Sequence, residues 1–82
     1  MIYGNKFMPK RYMDDAERAK GFFKNDLMRY RDKKNDRYLK DAKSSRALAK
    51  SYARSAMKNG EITEYEFDDF IDELDRLEDL YT

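Results

Sequence analysis

Apolar residues recur along this chain at three- and four-residue steps in three blocks, and short polar stretches separate the blocks. In the first, Met13, Ala16, Ala19, Phe23, Leu27 and Tyr30 line one face of a helix predicted over 13–33. Asp14, Asp15 and Glu17 stand in its first turn, where negative charge favours the positive end of the helix dipole. Phe22 and Met28 fall off this stripe and either widen the buried face or mark a contact with a partner. Gly21 weakens the helix by about 1 kcal/mol relative to Ala and is small enough for a close crossing.

Lys33-Lys34-Asn35-Asp36 reads as a break, with Asn35 or Asp36 able to cap the next helix. The alternative is one continuous rod through both segments. A second helix is predicted over 36–58. At 100° per residue, Leu48, Tyr52, Ala49, Ala56, Tyr38, Ala42 and Ala53 fall within an arc of roughly 140°. Small residues on that arc suit the close approach of a neighbouring helix. Asn59-Gly60 closes the segment, with Gly60 free to take the left-handed conformation of a C-terminal cap.

The third helix is predicted over 63–81. Thr63-Glu64-Tyr65-Glu66 matches a capping box, and Ile62 with Phe67 matches a hydrophobic staple. Phe67, Phe70, Leu74, Leu77 and Tyr81 follow a 3-4-3-4 spacing, broadened by Ile71. That is a coiled-coil-like seam over two heptads, and it predicts dimerisation through this helix. The short turn at Asn59–Thr63 makes the second and third helices antiparallel neighbours. Residues 1–12 read as an irregular basic arm, with Lys6, Lys10 and Arg11 as its charges and Tyr3, Phe7 and Tyr12 as anchors. A small Ile2–Phe7 hairpin is the alternative there, and Pro9 ends any ladder. The predicted fold is an all-α, three-helix single domain over 1–82, with a basic N-terminal arm and an antiparallel helical hairpin in its C-terminal half.

Composition narrows the function. With 43% charged and 40% hydrophobic residues in 82, the core is thin, so homo-oligomerisation or partner binding is expected. The absence of Cys removes disulfides and thiolate chemistry. The absence of His removes the commonest general base and transition-metal ligand. No run approaches the roughly 20 apolar residues of a membrane span, and Met1–Lys6 lacks a signal peptide's apolar segment. The reading is a cytoplasmic, non-enzymatic protein with no cofactor, no metal, no membrane association and no small-molecule substrate. Lying on a membrane surface is disfavoured too, since the apolar arc of the second helix is mostly Ala and Tyr.

Charge sharpens the picture most. Residues 1–58 hold 17 of the 18 Lys/Arg and 7 of the 17 Asp/Glu, whereas residues 59–82 hold Arg76 alone against ten acids. The formal net of +1 therefore conceals a dipolar molecule. Lys40, Lys43, Arg46, Lys50, Arg54 and Lys58 collect on the face of the second helix opposite its apolar arc. At 1.5 Å per residue they form a line about 27 Å long. Arg29, Arg31, Lys33, Lys34 and Arg37 extend it across the break. Such a stripe meets successive phosphates, and Tyr30 and Tyr38 among the cations could stack on unpaired bases. The competing reading is a solvated face with structural tyrosines. No acid interrupts the run from Lys43 to Lys58, whereas ordinary solvated helices mix signs.

The acidic third helix has three readings. It packs by its seam and neutralises the basic helix, it covers the stripe as a regulator, or it imitates phosphates for a basic protein. Asp68, Asp72 and Asp75 lie around a solvent arc, do not converge on a metal, and have no base or nucleophile beside them. Gly60, Ile62 and Glu66 fall where the back half of an EF-hand loop would place them. Ser55, Met57 and Asn59 leave its front half too poor in oxygen ligands for calcium. The same Gly-x-Ile-Thr turn before Glu66-Phe67 is similar to the short C-terminal helical hairpins called SHOCT domains. That likeness implies a capped helical turn and no functional residue.

Two functions emerge. The first is a small regulatory nucleic-acid-binding protein, favouring RNA or single-stranded DNA over sequence-specific duplex. Its contacts would be Arg29, Arg31, Lys33, Lys34, Arg37, Lys40, Lys43, Arg46, Lys50, Arg54 and Lys58. The second is a protein-binding modulator or inhibitor of a larger host complex, with a basic host protein as partner. It would act through Phe67, Phe70, Leu74, Leu77, Tyr81, Asp68, Asp72 and Asp75 and other exposed aromatics. Small size, charge density and the lack of Cys and His suit a phage-encoded accessory or anti-defence factor of that kind.

Overall fold

Two capped breaks divide the chain. In a computed structural model that describes residues 11–82, helix α1 spans Arg11–Lys33, α2 spans Asp36–Lys58 and α3 spans Glu64–Tyr81. The domain is all-α, with three helices and no strand among the described residues. The first break is a real one. Lys34 adopts a left-handed φ of 56°, and its N–H donates to the Tyr30 carbonyl at 2.7 Å. That single bond is the simpler left-handed C-cap, at a conformational cost of about 1–2 kcal/mol for a non-glycine residue. Asn35 offsets it by capping α2, its Oδ1 accepting from the Arg37 N–H at 2.9 Å.

The second break pairs two local motifs. The Gly60 N–H donates to the Met57 carbonyl at 3.2 Å and the Glu61 N–H to Ala56 at 2.9 Å, with Gly60 at φ 78°. These two bonds make a Schellman motif, which requires the left-handed residue that Gly supplies. Three residues later the capping box closes. Thr63 Oγ1 accepts from the Glu66 N–H at 3.1 Å, and Glu66 Oε1 accepts from the Thr63 N–H at 2.9 Å.

Arg11 and Tyr12, expected in the arm, belong to α1 instead. The reason is long-range. The Glu61 carboxylate accepts from the Tyr12 and Met13 N–H groups at 3.3 and 3.1 Å, so the α2–α3 turn caps the start of α1. The rest of the expected arm, including the Ile2–Phe7 segment, lies outside the described residues.

The helices run up, down, up. α3 lies along one face of the α1–α2 hairpin, antiparallel to α2 and parallel to α1. The closest backbone approach is between α1 and α2, so the tighter hairpin is the N-terminal one. Its cause is compositional. The residues that α2 buries are Ala42, Ala49, Ala53 and Ala56, while α1 contributes Ala16, Ala19, Phe23 and Leu27. Alanine against alanine lets helix axes approach toward the short end of the usual range of about 8–10 Å. α3 adds the buried bulk, with Phe70 and Leu74 set into the groove above that seam.

Two expectations change here. Leu48, placed on the buried arc by sequence, is 47% exposed. The arc is centred on the alanines, so Leu48 falls at its edge, away from α3. The α3 seam is also not an open dimer face. Phe70 and Leu74 are buried, and Phe67, Ile71, Leu77 and Tyr81 are half-buried against the same core. The heptad spacing is satisfied within one chain, so pairing through it would unpack the domain.

Ala49→Leu is expected to destabilise the fold by about 1–3 kcal/mol, through overpacking of the α1–α2 seam. Ala47→Leu, on the exposed side of the same helix, should stay within about 0.5 kcal/mol. Urea denaturation followed by circular dichroism distinguishes the two.

Candidate nucleic-acid interface

The eleven predicted basic residues divide by what they touch. Arg46 sits four residues after Ala42 and three before Ala49, in step with the buried alanines, so its stem enters the interface with α3. Its guanidinium donates to Asp75, and at 3.5 Å to Glu78, with 25% of the side chain exposed. Arg31 lies over the Tyr81 ring at 4.6 Å and Arg54 over the Phe67 ring at 6.0 Å. These three cations hold α3 in place. They are part of the domain's internal bonding, although Arg31 and Arg54 remain exposed.

The other eight are Arg29, Lys33, Lys34, Arg37, Lys40, Lys43, Lys50 and Lys58. All are exposed, and none makes an ion pair among the described residues. Helical phase separates Arg29 from the rest. It falls one heptad after Phe22, on the α1 face turned away from α3; Lys33, one turn later on that face, ends α1 at the turn to α2. The remaining seven run from the α1–α2 turn down the outer side of α2. Lys40 and Lys58 point directly outward from the buried alanines, while Lys43 and Lys50 lie on the flank toward α3, in the arc between Arg46 and Arg54. Tyr30 and Tyr38, the candidate stacking residues, are half-buried at the turn end of the hairpin.

α3 answers only part of this charge. Glu73 pairs with Lys20, Asp75 and Glu78 with Arg46, and Glu66 closes the capping box. Asp68 and Asp72, together with Glu64, Asp69 and Asp79, are exposed and without an ion pair among the described residues. They form an outer acidic ridge. No group of three or more acids converges as a metal site among the described residues, and no helix is long and apolar enough to cross a membrane.

Lys20 carries no signal in the sequence pattern, yet it is the main polar link from α1 to α3. Its ammonium pairs with Glu17 at 3.0 Å, donates to Glu73 and lies 5.4 Å from the Phe70 ring centroid. Partial burial works to lower its pKa, but the hydrogen bonds and charges of Glu73 and Glu17 outweigh that and raise it above 10.5. Beside it, α1 and α3 enclose an open groove of about 360 Å³ floored by Gly21, Leu77 and Leu80. Its walls alternate Lys24 and Arg76 with Glu17 and Glu73, so they present no single-sign site for an anion.

No protein-family model, curated protein or solved structure matches the chain. Its surfaces have to be read from their own geometry.

Arg46→Ala should cost about 1–1.5 kcal/mol in urea, since it removes charged hydrogen bonds from a largely covered side chain. Lys50→Ala should stay within about 0.5 kcal/mol. The raised pKa of Lys20 makes its contribution to stability complete below pH 10.5 and lost as pH rises through the folded-state value. The stability difference between the native protein and Lys20→Met should therefore be constant from pH 7 to about 10 and shrink above it. Taking the difference removes the tyrosine titrations common to both proteins.

Proposed function

We propose that the domain binds the phosphate backbone of RNA or single-stranded DNA along the outer side of α2 and the α1–α2 turn. The observation that carries this reading is the set of seven exposed cations there, Lys33, Lys34, Arg37, Lys40, Lys43, Lys50 and Lys58, without an ion-pair partner among the described residues. Three acids of α3, Glu73, Asp75 and Glu78, are committed to Lys20 and Arg46 and leave this stripe unneutralised. Seven like charges gathered on α2 and the adjoining turn repel one another, and an external polyanion relieves that repulsion by releasing its own counterions. The protein would act as a small regulatory binder, with each contact indifferent to base sequence.

One further observation favours a second reading. The outer ridge of Glu64, Asp68, Asp69, Asp72 and Asp79 is suited to a basic protein, which the domain would occupy as a phosphate mimic and so modulate or inhibit.

Anisotropy titration of fluorescent oligo-U, oligo-dT and a duplex at several salt concentrations tests the first reading. Seven phosphate contacts to a single strand give a log–log salt slope of about −5. Lys40→Gln/Lys43→Gln/Lys50→Gln should reduce that slope by about 2 while leaving the helix content unchanged. No binding by the native protein at low salt would refute the first reading. A nuclease-resistant complex with a basic protein, abolished by Asp68→Lys/Asp72→Lys, would establish the second.

A further inference from the structure

The face of the α1–α2 hairpin turned away from α3 carries an apolar patch that no other described element covers. Phe22 is 55% exposed and Leu48 is 47% exposed, and with Ala19 and Tyr52 they line a shallow cavity of about 120 Å³. Phe22 lies about 160° around α1 from Lys20, and Tyr52 about 120° around α2 from Arg46, the residues that mark the α3 side. The patch is therefore separate from the core that α3 seals.

The charges around the patch follow a rule. On α1, Asp15 and Arg18 stand seven and four residues before Phe22, and Asp26 and Arg29 stand four and seven residues after it. Steps of four and seven keep all of them on the Phe22 face. We propose that this face binds a second copy of the chain about a two-fold axis through Phe22, with α1 antiparallel to the partner's α1. Such an axis carries the residue at +n onto the partner's residue at −n. Asp15 then meets the partner's Arg29, and Arg18 meets the partner's Asp26, so the pairings nearest the axis are between opposite charges, while Arg11 and Lys33, eleven residues either side, meet as like charges at the exposed helix ends. A parallel arrangement would set Asp15 on the partner's Asp15 and Arg18 on the partner's Arg18.

α2 accepts the same axis, because the residues seven either side of Leu48 are Asp41 and Ser55, and those four either side are Ser44 and Tyr52. No like charges meet there. The four α1 residues are also available. Arg29 has no ion pair among the described residues, and the Asp15–Arg18 pair is long at 3.6 Å and largely exposed. Among the described residues Asp26 holds only the Ser45 hydroxyl, at 3.0 Å. The arrangement draws on different residues from the basic stripe, so it stands whether or not the domain binds nucleic acid.

Sedimentation equilibrium of the nucleic-acid-free protein from about 5 μM to 1 mM tests it, with a dimer expected to form within that range. Phe22→Asp should raise the dimer Kd at least ~10-fold with circular dichroism unchanged. Arg18→Glu and Asp26→Lys should each weaken the dimer about 3- to 10-fold, and the double variant should return to within about 3-fold of the native value. Because the chain has no cysteine, Phe22→Cys gives a second readout. The axis brings the two introduced thiols together, so oxidation should link two chains. A monomer at 1 mM, or a dimer indifferent to Phe22→Asp, would overturn the proposal. So would a double variant no tighter than its parents, or a dimer that fails to crosslink. The last two results would indicate that α1 lies instead on the partner's α2.

Discussion

The seam of small residues between α1 and α2 is the constraint on which the rest of this domain depends. A chain with 43% charged residues cannot assemble a core from many large side chains, so it gains packing from proximity. Alanine loses no rotamer entropy on burial, and in α2 the four alanines let the backbone itself serve as packing surface. The close approach carries a consequence. With α1 and α2 so near each other, the groove above them is shallow, and one helix bearing Phe70 and Leu74 suffices to fill it. The large buried side chains Phe23, Leu27 and Leu74 come from α1 and α3, and none comes from α2.

The charge split arises from the same geometry. α3 rests in a groove whose two walls are basic, with Lys20 and Arg31 on α1 and Arg46 and Arg54 on α2. Its inner-edge acids and aromatics meet those four cations, which gives α3 its register along the groove. Arg46 contributes most to that register because its stem is at a core position and its two acceptors lie three residues apart on one face of α3. The neutralisation is local. The other cations of α2 and the outer acids of α3 are left facing water, so the folded domain remains polarised.

Much of the fold is legible in the sequence because its signals are local. Asn35 and Gly60 bound the helix over 36–58, and Thr63 and Glu66 mark the start of α3. Each signal works through hydrogen bonds within a few residues. The features that escape a reading of the sequence are long-range. Glu61 caps α1 from 48 residues away, and nothing in the local pattern of either segment requires it. Leu48 falls on the open side because a helix that buries alanines has its arc set by neighbours on two sides, not by its largest apolar residue. Arg46 does have a signal. Its 4-3-4-3 register with Ala42, Ala49, Ala53 and Ala56 places it in the seam, where a stripe drawn from cations alone assigns it to solvent. The heptads of α3 do mark a seam, but heptad spacing does not say whether the facing helices belong to the same chain.

The α1–α2 hairpin thus presents three surfaces with different chemistry. One is sealed by α3, one is the basic outer side of α2, and one is the open face around Phe22. The two-fold arrangement argued for that third face bears on the second. A two-fold axis crossing the hairpin stacks α2 on the partner's α2 in antiparallel fashion, with their outer sides on one edge of the assembly. The two cationic lines would then run side by side, and the α3 ridges would lie on the two remote faces. Multivalent contact of that kind raises the effective concentration of the second stripe once the first has engaged a strand. In a monomer, seven exposed cations on 82 residues make a modest electrostatic site. In such a dimer, the same residues would make a longer basic edge, with the α3 acids on the remote faces. The sorting of charge along the chain would then keep one edge of such an assembly open to a polyanion.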